Sequence, residues 1–224
     1  MRFCHDRAMA VHHPATIAPT KLELLQAWVP HQPWTGNADT SVLTKLGSYR
    51  FDDPDGEVGM ETHLLATADG QVLQVPLTYR GVPRTGAEDS LITTMTHTTL
   101  GQRWIYDGCH DPVYVNALVT TIVTGGREAA LYAATEQGMV LEPATTHVRG
   151  SGSWTTAPAL TVPVVCHEGT TTTISAGVEV VLPRVVVPVA PGTGLVLSGT
   201  WPGQETPCVL VRVDVAGDSA HNAG

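Results

Sequence analysis

His110, Asp111 and Asn116 are the residues whose types and spacing come nearest to chemistry in this chain. In phosphotransferase catalytic loops an aspartate takes the proton of the attacking hydroxyl, and an asparagine five places on holds magnesium. Here the histidine touches the aspartate directly, and Pro112 follows at once. Asp before Pro reads instead as a helix start. Asp accepts from free N–H groups of the first turn, and Pro at the first helical position gives up no bond. No metal-binding "DFG"-like aspartate follows. Asp111 is therefore expected to cap a helix ending at Gly125-Gly126, with Val113, Ala117 and Val119 or Thr120 at helical spacing. No catalytic residue is assigned.

Other constellations are weaker. Cys4, His5, His12 and His13 cluster early, His31 comes later, and His63 and His97 are candidates to face each other across strands, but neither HExxH nor paired CxxC is present. No metal is expected. "RGSGSW" (149–154) lacks the GxSxG spelling of a nucleophile elbow and reads as a turn. "TGGRE" and "APGTGLVLSGT" lack the lysine of a phosphate-cradling loop. No cofactor is expected. Of the five tryptophans, Trp34, Trp154 and Trp201 are the candidates for an exposed face that would stack on a sugar ring.

These residues need elements to place them. "PTKLELLQAWVP" (19–30) reads as a helix with a capping box, Thr20 with Glu23 three places on. Leu22, Leu25 and Trp28 form its apolar face, beside Leu24, and Pro30 stops it. Three strands follow: "SVLTKLGSYRFDD" ending in an acidic turn, "GMETHLLATADG" ending in an Asp69-Gly70 hairpin turn, and "QVLQVPLTYRG" returning antiparallel. Pro76 marks an edge or a bulge in the last of these. "DSLITTMTHTTLGQRWIYDG" suits one long or bent strand. This predicts one helix on an antiparallel sheet of about four strands. From Met139 to Asp214 the Val-, Thr- and Pro-rich chain predicts a mostly antiparallel β-module. Residues 1–8 and 216–224 are expected to be disordered ends.

The net charge of −9 and the lack of any basic run argue against nucleic-acid binding. Four separated cysteines read as reduced thiols of a cytoplasmic protein. The opening lacks a signal peptide's apolar stretch, and "GVEVVLPRVVVPVAPG" is too interrupted to span a membrane.

"HHPATIAPTKLELLQAWVPHQPW" and "LGQRWIYDGCHDPVYVNALVTTIVTGG" resemble the N-terminal cap domain of actinobacterial maltokinases, over roughly residues 9–127. Those kinases phosphorylate maltose with ATP and feed α-glucan synthesis. The resemblance implies an α+β fold: a cystatin-like cap over residues 9–110, then a helix and β-module over 111–215 like a degenerate kinase N-lobe. "GTTTTISAGVEVVLPRVVVPVAPG" is similar to the strand pair that carries the ATP-anchoring lysine in those kinases. Here Pro183 and Arg184 stand nearby, and no lysine follows Lys45. Arginine is a poor substitute for that compact charge. The chain ends near where the helical catalytic lobe would begin. The resemblance thus implies a non-enzyme: a stand-alone, pseudokinase-like binding or regulatory module. Its expected partner is a protein of trehalose, maltose and α-glucan metabolism, or maltose or a glucan itself. The alternatives are half of a split sugar kinase completed by another chain, or a free glucan-binding module.

Overall fold

The computed structural model describes residues 10–12, 17–135 and 138–215. The disordered ends expected at 1–8 and 216–224 lie outside the described residues, as do Cys4, His5 and His13. The first half contains β1 (Ala10–His12), β2 (Ile17–Ala18), α1 (Lys21–Trp28), β3 (Thr44–Phe51), β4 (Val58–Ala66), β5 (Val72–Arg80), β6 (Leu91–His97), β7 (Gly101–Asp107) and α2 (Pro112–Thr124). The second contains β8 (Leu131–Thr135), β9 (Gly138–Leu141), β10 (His147–Gly150), β11 (Val164–Glu168), β12 (Thr171–Ser175), β13 (Glu179–Pro183), β14 (Val185–Val186), β15 (Leu195–Trp201) and β16 (Gln204–Asp214). The architecture is mostly antiparallel β with two helices, within the α+β class. No helix among the described residues is long and apolar enough to cross a membrane.

The cap sheet has seven strands, not four, in the order β2-β6-β7-β5-β4-β3 with β14 added beside β5. The segment expected to be one long strand folds back as the β6–β7 hairpin, pairing His97 with Gly101. The Asp69-Gly70 turn joins β4 to β5, with Gly70 at φ +83°. Pro76 lies at neither edge nor bulge. Along that side of β5, β14 pairs at 72–73 and β7 at 77–80, so the missing donor falls in the gap between two partners.

Both faces of this sheet are covered, which is why its strands do not alternate cleanly. Leu65, Leu73, Val75, Leu77 and Ile105 pack against Leu24, Leu25 and Val29 of the α1 region. Leu22 is 41% exposed: the apolar face of α1 centres on Leu24 and Leu25 instead. Both members of the capping box are in place, with Glu23 N–H donating to Thr20 Oγ1 at 3.2 Å and Thr20 N–H to Glu23 Oε2 at 2.8 Å. On the opposite face Met60 and Leu64 join the same core as Tyr114, Leu118 and Ile122 of α2.

Helix α2 is shared between two sheets. Its core also includes Val148, Ile174, Val180, Leu182, Leu197 and Leu210 of the second sheet, ordered β10-β15-β16-β13-β12-β11. A third sheet pairs β1, β8 and β9, with β1 parallel to β8. Asp111 caps α2, accepting from Val113 N–H at 3.0 Å, and Gly125 ends it in the left-handed conformation at φ +69°. The buried residues are Tyr114, Val115, Leu118, Val119, Ile122 and Val123; Val113 and Ala117 are only partly covered.

The "RGSGSW" segment is more than a turn. Its backbone closes the C-terminal end of α2, where the last carbonyls have no partner within the helix. Gly152 N–H donates to Ile122 O at 2.9 Å and Trp154 N–H to Val123 O at 2.8 Å. Such close approach leaves no room for a side chain: a Cβ at residue 152 would stand 2.1 Å from Val123 O, and one at 150 would stand 2.1 Å from Thr121 O. Gly152→Ala should therefore destabilise the protein by about 3 kcal/mol, the upper range for overpacking. Urea unfolding measures this, and a loss below about 0.5 kcal/mol would contradict the contact.

Candidate functional site

Arg184 is the bulkiest fully buried charged side chain among the described residues. The chain leaves the second sheet at Pro183, the last residue of β13, and enters the cap sheet as β14. Arg184 is the residue of the crossing. Its N–H donates to Thr170 O at 2.7 Å, and its carbonyl accepts from Gln74 N–H at 2.9 Å. The side chain is 0% exposed. Its Nη2 donates to Asp107 Oδ2 at 2.5 Å, its Nε to Thr172 Oγ1 at 2.8 Å, and its guanidinium lies 4.6 Å from the Trp34 ring centre. Burial alone would make the charged form costly. Burial does lower the Arg184 pKa, but the Asp107 carboxylate outweighs it, and the guanidinium stays ionised.

This placement corrects two expectations. Trp34 is fully buried beneath Arg184, and Trp201 is 5% exposed within the α2 core, so neither offers a face to a sugar. Trp154, 38% exposed, is the one candidate of the three with an open ring.

The loop-like trio is also pulled apart. Asp111 is buried and held by Arg80, whose Nε and Nη2 each donate at 2.7 Å, and by Thr78 Oγ1 at 2.9 Å. Burial raises the Asp111 pKa, but the bonds from Arg80 outweigh it and hold the carboxyl below the usual range. Asn116 faces the other way, onto a cleft of about 950 Å³ along the solvent side of α2. That cleft runs between the acidic 52–55 turn and residues 126–132, with Thr120 and Thr124 on its floor. His110 instead meets His167 of β11, ring centres 6.2 Å apart, and burial lowers the pKa of both.

Sequence reading missed a second charged cluster, on the α1 side of the cap sheet. Glu61 of β4 is 4% exposed. Lys21 of α1 forms an ion pair with its Oε2, and Lys45 of β3 reaches its Oε1 at 3.5 Å. His63 Nε2 stands 3.7 Å from Glu61 Oε2 and 3.2 Å from Tyr79 Oη. Burial would raise the Glu61 pKa, but His63, Lys21 and Lys45 hold it well below the usual range. Burial pushes His63 down to about 4, so it is neutral at pH 7. His63 and His97 do not face each other, because β5 and β7 lie between their strands. No group of three or more metal-ligating side chains is present among the described residues.

Two predictions follow from these clusters. Asp107→Asn leaves a buried guanidinium without its counter-charge and should cost about 3–5 kcal/mol. Adding Arg184→Met should recover most of that loss, because both charges are then gone; urea unfolding of the single and double variants reads the difference. The second concerns pH. His63 binds a proton near 6.5 when unfolded but only near 4 when folded. Its neutral burial therefore costs nothing above pH 6.5, and stability falls as pH drops from 6.5 towards 4, by about 3 kcal/mol in all. His63→Gln should flatten that part of the stability–pH curve, leaving the smaller slope from His110 and His167 and, towards pH 4, that of the depressed Glu61 and Asp111 carboxyls. An unchanged curve would show that His63 accepts its proton in the folded state.

A search of curated proteins returns no significant match to the chain. The family that matches is a cap domain and not a catalytic kinase domain. The residues joining α1 to the start of α2 are where the likeness lies: residues 28–111 match the family of the maltokinase N-terminal cap domain.

Proposed function

We propose that this chain is a non-catalytic relative of the maltokinase N-terminal lobe, a binding or regulatory module in maltose, trehalose and α-glucan metabolism. The observation that carries the reading is the state of Arg184. It stands in the neighbourhood that the resemblance gives to the ATP-anchoring lysine, yet it is fully buried, neutralised by Asp107 and covered by Trp34. A nucleotide phosphate has no path to it. Asp111 is equally committed, to Arg80 and to the α2 backbone.

Residues 9–110 are then a cystatin-like cap, a reading supported by α1 lying on an antiparallel sheet. Residues 111–215 are the counterpart of a degenerate kinase N-lobe, supported by α2 lying against the six-stranded sheet. For a glucan or maltose ligand, the exposed Trp154 ring supplies a stacking surface, and the amide and hydroxyl groups of the α2 cleft are partners for sugar hydroxyls.

The protein incubated with magnesium, ATP and maltose, glucose or glucosamine should form no phosphorylated sugar above background. Magnesium-dependent product that disappears in Asp111→Ala would overturn the non-catalytic reading. In parallel, millimolar maltose or short glucans should quench tryptophan fluorescence in the wild type and not in Trp154→Phe. No quenching would remove the sugar and leave the protein partner.

A further inference from the structure

We propose that the α1-facing side of the cap sheet carries an anion site, built by Lys21, Lys45 and Arg50 around Glu61, that takes a phosphate group. The chain has a net charge of −9 and two lysines, and both lysines converge on this single carboxylate. Arg50 is paired directly opposite Glu61 in the β3–β4 register, so its side chain leaves the same face of the sheet. His63 lies two residues along that face, and its pKa is depressed in part by Lys21, Lys45 and Arg50 together. Two lysines thus meet one carboxylate, and Arg50 stands close enough to act on the neighbouring His63 and Tyr79.

One lysine is enough to neutralise Glu61. Among the described residues, both lysines pair only with Glu61 and no carboxylate pairs with Arg50. Arg50 Nε is buried with no hydrogen-bond partner, and so is Nδ1 of His63, a side chain that is 1% exposed. Buried polar atoms left without a partner are costly, and a native structure that keeps two of them on one face of a sheet, one of them a guanidinium donor, needs a reason. The lysine side is open to solvent: the side chains of Lys21 and Lys45 are 32% and 46% exposed. A tetrahedral oxyanion entering there meets a guanidinium and two ammonium groups, each able to donate charge-assisted hydrogen bonds to its several oxygens. A metal cation would be repelled, and a neutral sugar would leave the charge unbalanced. Free orthophosphate and a sugar phosphate present the same group, so both belong to the proposal. The site rests on this charge arrangement and is independent of the sugar-binding reading of Trp154 and the α2 cleft.

The full chain should be titrated with orthophosphate at pH 7 by calorimetry, and its thermal unfolding followed in phosphate against chloride of equal ionic strength. Saturable millimolar binding is expected, with a melting temperature higher in phosphate than in chloride. Lys45→Gln, at a half-exposed position, should fold normally and bind at least about tenfold more weakly; Arg50→Gln should do the same. Glucose 6-phosphate serves as the second probe. Tighter binding than orthophosphate supports the site as one for sugar phosphates, and equal binding supports it as one for the free ion. No saturable binding, or equal binding by wild type and Lys45→Gln, would overturn it.

Discussion

The crossing at Arg184 is the constraint on which the two main sheets depend. In three residues the chain ends β13, buries a guanidinium and begins β14, so the backbone itself belongs to both sheets. The side chain of Gln74 adds a second tie. Its Nε2 donates to Pro183 O at 2.6 Å and to Leu210 O at 2.7 Å, reaching from the cap sheet to two strands of the other. Buried ion pairs are weak evidence for stability, since desolvation of both charges offsets their attraction. Their value here is geometric. A guanidinium that must meet Asp107, Thr172 and Trp34 together admits one relative placement of β7, β12 and the turn after α1.

Helix α2 answers the same demand by apolar means. With a mostly β-branched sequence it is a poor helix in isolation. It forms because both of its ends are fixed and its sides are covered. Asp111 caps the first turn while bound to Arg80 of β5, so the cap is also a tether to the sheet. At the other end, Gly152 and Trp154 satisfy carbonyls that would otherwise be stranded in the core. Tyr114 adds a polar anchor within the core, its hydroxyl 3.1 Å from Thr62 Oγ1 of β4.

Local signals in the sequence marked local features well. The capping box of Thr20 and Glu23, the Asp111-Pro112 helix start, the Gly125 stop and the Asp69-Gly70 hairpin each depend on residues within a few positions of one another. What the sequence hid was long-range. Arg184 and Asp107 are 77 positions apart, and nothing near either announces the other. Strands β4 and β5 carry apolar and polar residues on both faces because helices cover both, so no period-2 pattern could show which face was the core. Trp34 looked available because tryptophan suits both stacking on sugars and stacking on arginine; only the buried partner distinguishes the two. The β6–β7 hairpin was missed because Thr98 to Leu100 has only Gly101 as a turn signal.

Perturbed titration behaviour often marks an active site, because catalysis needs groups held away from their ordinary pKa values. Here the shifted carboxyls sit in ion pairs that join elements, Glu61 with Lys21 of α1 and Asp111 with Arg80 of β5. His63, Glu61 and Asp111 are all strongly shaped by their surroundings, yet Asp111 is fully engaged with Arg80 and backbone N–H groups and opens onto no cleft. A general base must reach a substrate proton at hydrogen-bond distance, directly or through one water. Asp111 has no such access, whereas the Glu61 cluster does reach solvent through Lys21 and Lys45. Exposed charge with unmet donors behind it is suited to holding an anion, not to moving a proton.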